Sequence, residues 1–165
     1  LTLKQSITFN FIFKFIKENG MPKITFERDM EKGIDTYNVN SVILPKIEFN
    51  FNAVSDEERN QDHTGQRFLC VAALACYINT FANSLKRNGA EIKFIRASAD
   101  TEKEKDHAMR TRYSVLILDV EIGLEEKYRD IYKKVEENML DGSLLTYSLE
   151  AGMEVEYNLS MVAVD

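Results

Sequence analysis

Two cysteines, Cys70 and Cys76, are the side chains of this 165-residue chain best suited to covalent chemistry. A thiolate is a nucleophile and can be oxidised to a sulfenic acid. Six residues apart on one helix, the two would lie about 9 Å apart along its axis and well separated around it. A disulfide needs Cα atoms within about 7 Å, so these two are not expected to bridge. Two unpaired thiols suit a reducing, cytoplasmic compartment. Cys76 falls in mid-helix, where the helix N-terminus cannot lower its pKa. A cation would have to hold the thiolate, and a guanidinium suits because it stays charged and offers hydrogen bonds. Cys70 reads as a small core filler. His63 and His107 stand in charged segments without zinc-ligand spacing, so no metal site is expected. No cofactor is expected either. The acidic pairs Glu57/Glu58, Glu125/Glu126 and Glu136/Glu137 read as solvated faces, and Asp141-Gly142-Ser143 as a helix stop followed by a turn.

The element that must position Cys76 is the stretch Thr64 to Gly89. From Phe68 to Ile78 every residue is apolar or a thiol, and a helix apolar all round is one covered all round. Thr64 suits an N-cap, while Lys86, Arg87, Asn88 and Gly89 give a cationic last turn and a glycine stop. Ala72, Ala73 and Ala75 keep the surface beside Cys76 thin, so other elements can approach closely. The apolar run is shorter than the roughly 20 residues of a membrane span, and no membrane partner is expected. The prediction is a long buried central helix holding a thiol.

The remaining sequence predicts sheet around that helix. Ile7, Phe9, Phe11, Phe13 and Phe15 alternate over residues 6–16, the period of a strand. Glu18 to Pro22 break the pattern, so residues 1–20 read as an N-terminal extension carrying an extra strand, and 21–165 as a single domain. That first stretch is broken by Asn10, Lys14 and Lys17 and lacks the basic leader of a signal peptide. Lys23–Arg28, Thr36–Leu44 and Lys46–Phe51 read as three short strands, and Ser55–His63 as a charged loop. Glu91–Ala99 and Arg112–Glu121 read as strands separated by the charged loop Asp100–Arg110. Leu124, Tyr128, Ile131, Tyr132, Val135 and Met139 keep helical spacing, predicting an amphipathic helix over about 125–140. Met153, Val155, Tyr157, Leu159 and Met161 alternate with polar residues, the pattern of a half-buried antiparallel strand. The order is that of an α+β protein. Its net charge of −6 and dispersed basic residues argue against nucleic acid as a partner.

With a cysteine late in an apolar helix, the layout resembles the OsmC/Ohr family of thiol-dependent peroxidases. Leu69–Phe81 (LCVAALACYINTF) is similar to the family's LLxAALAxC signature, with Cys76 at the reactive position. Lys86–Ile92 (KRNGAEI) and Ser148–Glu154 (SLEAGME) are similar to flanking family segments. The resemblance implies an intertwined homodimer, with central helices enclosed by antiparallel sheets and the thiols near the subunit interface. It also sets the expected site residues. The family's early arginine, in a turn after the first strand, corresponds to Arg28. Its glutamate, ten residues before the reactive cysteine, is replaced by Gln66. Its second, resolving cysteine falls on Ser143. Cys76, Arg28 and Gln66 are thus the candidate catalytic residues. Gln66 would orient the arginine through its amide oxygen but without a carboxylate's charge. The expected activity is hydroperoxide reduction through one cysteine with an external thiol reductant. The alternative is a non-catalytic protein of the same fold binding a small hydrophobic ligand at the dimer interface.

Overall fold

A computed structural model describes residues 23–165; the alternating phenylalanines and the predicted extension over 1–20 lie outside the described residues. The chain divides into two compact units, Leu1–Asp62 and His63–Asp165.

In the first unit, β1 (Thr25–Asp29), β2 (Ile34–Asn38) and β3 (Lys46–Asn50) form an antiparallel meander in that order. The β1–β2 turn is built by Asp29, whose carboxylate accepts the backbone N–H groups of Glu31 and Lys32. Gly33 completes it at φ 68°, where only a residue without Cβ sits unstrained. This turn fixes the register, setting Arg28 directly opposite Asp35 and Phe26 opposite Tyr37. β2 is shorter than the stretch 36–44 predicted. After β3 the expected charged loop instead contains α1 (Asp56–Gln61). Ser55 and Glu58 cap α1 reciprocally, each satisfying the other's backbone N–H. The acidic run that suggested a loop is the favourable first turn of a helix.

The second unit is a sheet with helices on one face. It comprises α2 (Thr64–Arg87), β4 (Ile92–Lys105), β5 (Thr111–Leu124), α3 (Arg129–Met139), α4 (Leu144–Leu149) and β6 (Glu154–Ala163). The strand order is β4-β5-β6. Leu116, Leu118, Val120 and Ile122 alternate along β5 and bury one face, against Tyr77, Phe81 and Leu85 of α2 and Tyr132, Val135 and Met139 of α3. Side chains on the other face, such as Asp119 and Asn158, are exposed and bonded to each other.

Three features depart from the sequence reading. The charged segment 100–110 is mostly strand, because its charges are the solvent-facing side chains of a two-stranded ribbon. Arg112, for example, pairs across it with Glu104 at 2.6 Å. Only Asp106–Arg110 turns, tied by the Asp106 carboxylate accepting from the backbone of Ala108 and Arg110. The last strand, β6, pairs with β5 in parallel, where an antiparallel strand was expected. The helices α3 and α4 form the crossover that parallel neighbours require. Finally, α2 is buried along one stripe, Cys70, Ala73, Tyr77, Phe81 and Leu85. Its opposite side is open in this chain: Val71 is 64% exposed, and Ala72 and Ala75 are exposed too. Length and composition alone would also pass α2 as a membrane span, with a window of mean hydropathy 1.6; here the Tyr77–Leu85 stripe packs on the sheet.

The core includes the phenols of Tyr77 and Tyr132, with Tyr157 and Tyr128 packed against it. Tyr77 donates to the carbonyl of Met139 at 2.8 Å and stacks on Tyr157 at 5.0 Å. Burial, foremost, raises the pKa of Tyr77 and Tyr132 and pushes Tyr157 up to about 12. A raised folded-state pKa gives stability that is whole below the unfolded value near 10 and lost as pH rises through the folded one. Stability against urea is therefore expected to decline between about pH 10 and 12, with phenolate absorbance appearing together with unfolding.

Candidate functional site

Cys76 stands one residue before the fully buried Tyr77, hence about 100° round the helix from the centre of the buried stripe. That places its thiol on the flank of α2, half-buried and free. The helix continues regularly past it, and the Thr80 hydroxyl donates to the Cys76 carbonyl at 2.9 Å. Apolar side chains are exposed on the same two helices: Val71 on α2, with Leu144 (83% exposed) and Tyr147 on α4, which packs beside α2.

Cys70 differs in every respect. It lies in the buried stripe, only 8% exposed. Burial pushes its thiol up, and the Asp100 carboxylate adds to the shift. A protonated thiol sealed in the core is a poor nucleophile. Gln66, one turn earlier, directs its amide nitrogen at the Cys70 sulfur, 3.7 Å away. The side chain expected to orient an arginine is thus turned toward the inert cysteine.

Arg28 has a different companion. Its Nε donates to Asp35 Oδ1 at 2.6 Å and its Nη2 to Oδ2 at 2.8 Å, a side-on fork across the β1–β2 register. The guanidinium carbon lies 4.7 Å from the Phe51 ring centroid and 5.7 Å from that of Phe26. Asp35 is buried, whereas the Arg28 side chain is 47% exposed. The Arg28 hydrogen bonds hold the Asp35 carboxyl below the usual carboxylate range, against the opposing effect of burial. Sequence reasoning missed Asp35: with β1 ending at Asp29 and β2 starting at Ile34, Asp29 faces Ile34 beside the turn and Arg28 faces Asp35 as the next pair, a register visible only once both strand ends are known.

Ser143, at the position where the resemblance places a second cysteine, is the N-cap of α4. Its hydroxyl accepts from the Thr146 N–H, and its own N–H donates to Thr146 Oγ1 at 2.7 Å. Both residues are buried, so the serine has a structural task that its sequence setting did not reveal. Ser143→Ala is expected to cost about 1 kcal/mol, read as a lower urea midpoint, without changing the reactivity of Cys76. Among the described residues no group of three or more His, Cys, Asp or Glu side chains is placed to hold a metal.

No protein-family model matches the chain, and no curated protein matches it. Solved structures do. An OsmC-like protein from Mycoplasma pneumoniae superposes with a TM-score of 0.62 at 12% identity, covering 87% of this chain and 96% of its own. An OsmC-like protein of unknown function from Vibrio cholerae gives 0.56 at 11%, over 83% and 96%. An organic hydroperoxide resistance protein from Elizabethkingia anophelis, with thiocyanate bound, gives 0.51 at 11%, over 87% and 98%. At such identities the likeness is one of backbone, and it extends over both compact units: the chain has the OsmC-like fold.

Proposed function

We propose that this protein reduces organic hydroperoxides through Cys76, as a homodimer in the cytoplasm, with an external thiol as reductant. The observation that carries the reading is a free, half-exposed cysteine on the central helix of a fold that organic hydroperoxide resistance proteins share. The Cys76 thiolate attacks one peroxide oxygen; the O–O bond breaks, and the alkoxide leaves and takes up a proton as the alcohol. Cys76 is left as a sulfenic acid, oxidised by two electrons. One external thiol condenses with it, releasing water and forming a mixed disulfide. A second thiol attacks that disulfide, freeing Cys76 and leaving as the oxidised disulfide. Arg28 is the cation that this reading assigns to the thiolate, as the family resemblance implies. The open apolar side of α2 supports the dimer, since a second copy would cover Val71 and Ala75. The test is a thiol count: one equivalent of tert-butyl hydroperoxide should remove one thiol per chain in the wild type and in Cys70→Ala, and none in Cys76→Ala.

A second reading is favoured by a specific observation. Val71 on α2 and Leu144 and Tyr147 on the neighbouring α4 leave apolar surface exposed, and Ser143 cannot resolve a sulfenic acid. A non-catalytic protein binding a small hydrophobic ligand at the dimer interface would share both features. An apolar molecule copurifying with the protein, together with a Cys76 inert to peroxide, would decide for it.

A further inference from the structure

We propose that the tip of the β2–β3 hairpin in the first unit, Val42-Ile43-Leu44, docks reversibly on an anionic lipid surface. Val42 is 100% exposed, Ile43 94% and Leu44 46%. Single exposed aliphatic side chains are ordinary, but three in succession at the end of a hairpin leave a contiguous apolar point in water. Hydrogen bonds fix its shape. Val39 and Asn40 both donate their backbone N–H to the Pro45 carbonyl, at 2.9 and 3.1 Å, with Asn40 turning the chain at φ 56°. The Ser41 hydroxyl oxygen accepts from the N–H groups of Ile43 and Leu44, each at 3.3 Å, and Pro45 has no N–H to satisfy. These amides keep their partners when water is withdrawn, which lowers the cost of bringing the tip against acyl chains.

The charge below the tip names the occupant. The Asn40 amide donates to the Lys23 carbonyl at 2.8 Å, so Lys23 stands at the base of the tip, and Lys46 begins β3 on its other side. Both are exposed. Lys46 is bonded to Glu48 at 2.6 Å, while the Lys23 ammonium makes no ion pair among the described residues, so the base carries a net positive charge. Asp29 and Glu31 belong to the β1–β2 turn, at the opposite end of the meander. An apolar point over a cationic base matches acyl chains beneath anionic headgroups. A stable protein partner would need about 800 Å² from each side, more than three side chains on a convex tip supply. Attachment at a lipid surface needs neither that area nor a spanning segment, and with so few groups it is weak and reversible.

The experiment sediments the full chain with vesicles of equal parts phosphatidylcholine and phosphatidylserine. The wild type should pellet with them, and its partition coefficient should fall by about tenfold on phosphatidylcholine alone or in high salt. Ile43→Asp should lower it by about tenfold or more and Lys23→Glu in the same direction, whereas Val71→Asp, on the exposed side of α2, should leave it unchanged. The chain contains no tryptophan, so Ile43→Trp supplies a single reporter whose emission should move to shorter wavelength when vesicles are added. A wild type that stays in the supernatant, an Ile43→Asp chain that pellets equally well, or a reporter that does not respond would overturn the proposal. So would a reporter that becomes buried without vesicles as protein concentration rises, in step with a larger mass by sedimentation equilibrium, since the tip would then belong to a second copy. None of these readouts uses Cys76 or peroxide, so they stand or fall apart from the peroxidase reading.

Discussion

Cys76→Ser is expected to reduce turnover of tert-butyl hydroperoxide, with dithiothreitol as reductant, to the rate of the two reagents alone. The loss should reach about a thousandfold or more, as when the nucleophile of a covalent mechanism is removed. A serine hydroxyl is not ionised at neutral pH and forms neither a sulfenic acid nor a disulfide. No other sulfur can stand in, since the only other cysteine, Cys70, is buried and its thiol pKa is raised. Cys70→Ala should accordingly keep most of the activity. The half-buried setting of Cys76 makes serine a mild change in shape, so loss of activity with an unchanged thermal midpoint is the expected pairing. Activity retained in Cys76→Ser would remove the basis of the peroxidase reading.

Phe81→Ala is expected to destabilise the second unit by about 3–5 kcal/mol, measured by urea denaturation. Phe81 is fully buried. It meets Tyr77 edge-on at 6.2 Å and stacks on Tyr132 of α3 at 5.9 Å. Truncation leaves a void between the helix and two partners that are themselves held, Tyr77 by Met139 and Tyr132 by Glu136. Neither can collapse inward without giving up a hydrogen bond. Typical domains are stable by about 5–15 kcal/mol, so this one side chain accounts for a large share. A cost near 1 kcal/mol would mean the core repacks far more freely than its bonded phenols suggest.

The long elements were legible because their patterns were strong. An apolar run with end signals placed α2, helical spacing placed α3, and alternation placed β6 on one face of a sheet. The direction of β6 was not legible, because alternation is the same for parallel and antiparallel neighbours. Its partner is decided by the crossover through α4, whose N-cap, Ser143, looked like part of a simple turn. The one-sided burial of α2 was also hidden. An apolar run tells that a surface will be covered, not by which chain. Among the candidate residues, Cys76 was singled out through its motif and Arg28 through a turn. Asp35 escaped because its importance lies in register, and neither an aspartate in a short strand nor its spacing from Arg28 stands out until the strands are paired.

The parallel pairing of β5 and β6 has a consequence for how the protein is made. β4 and β5 zip together as neighbours in sequence, but the third strand of the sheet must wait until both intervening helices have been synthesised, and contacts of that span form slowly. Until then the apolar face of β5 lacks the cover of Tyr132, Val135 and Met139, which α3 brings only with the later part of the chain.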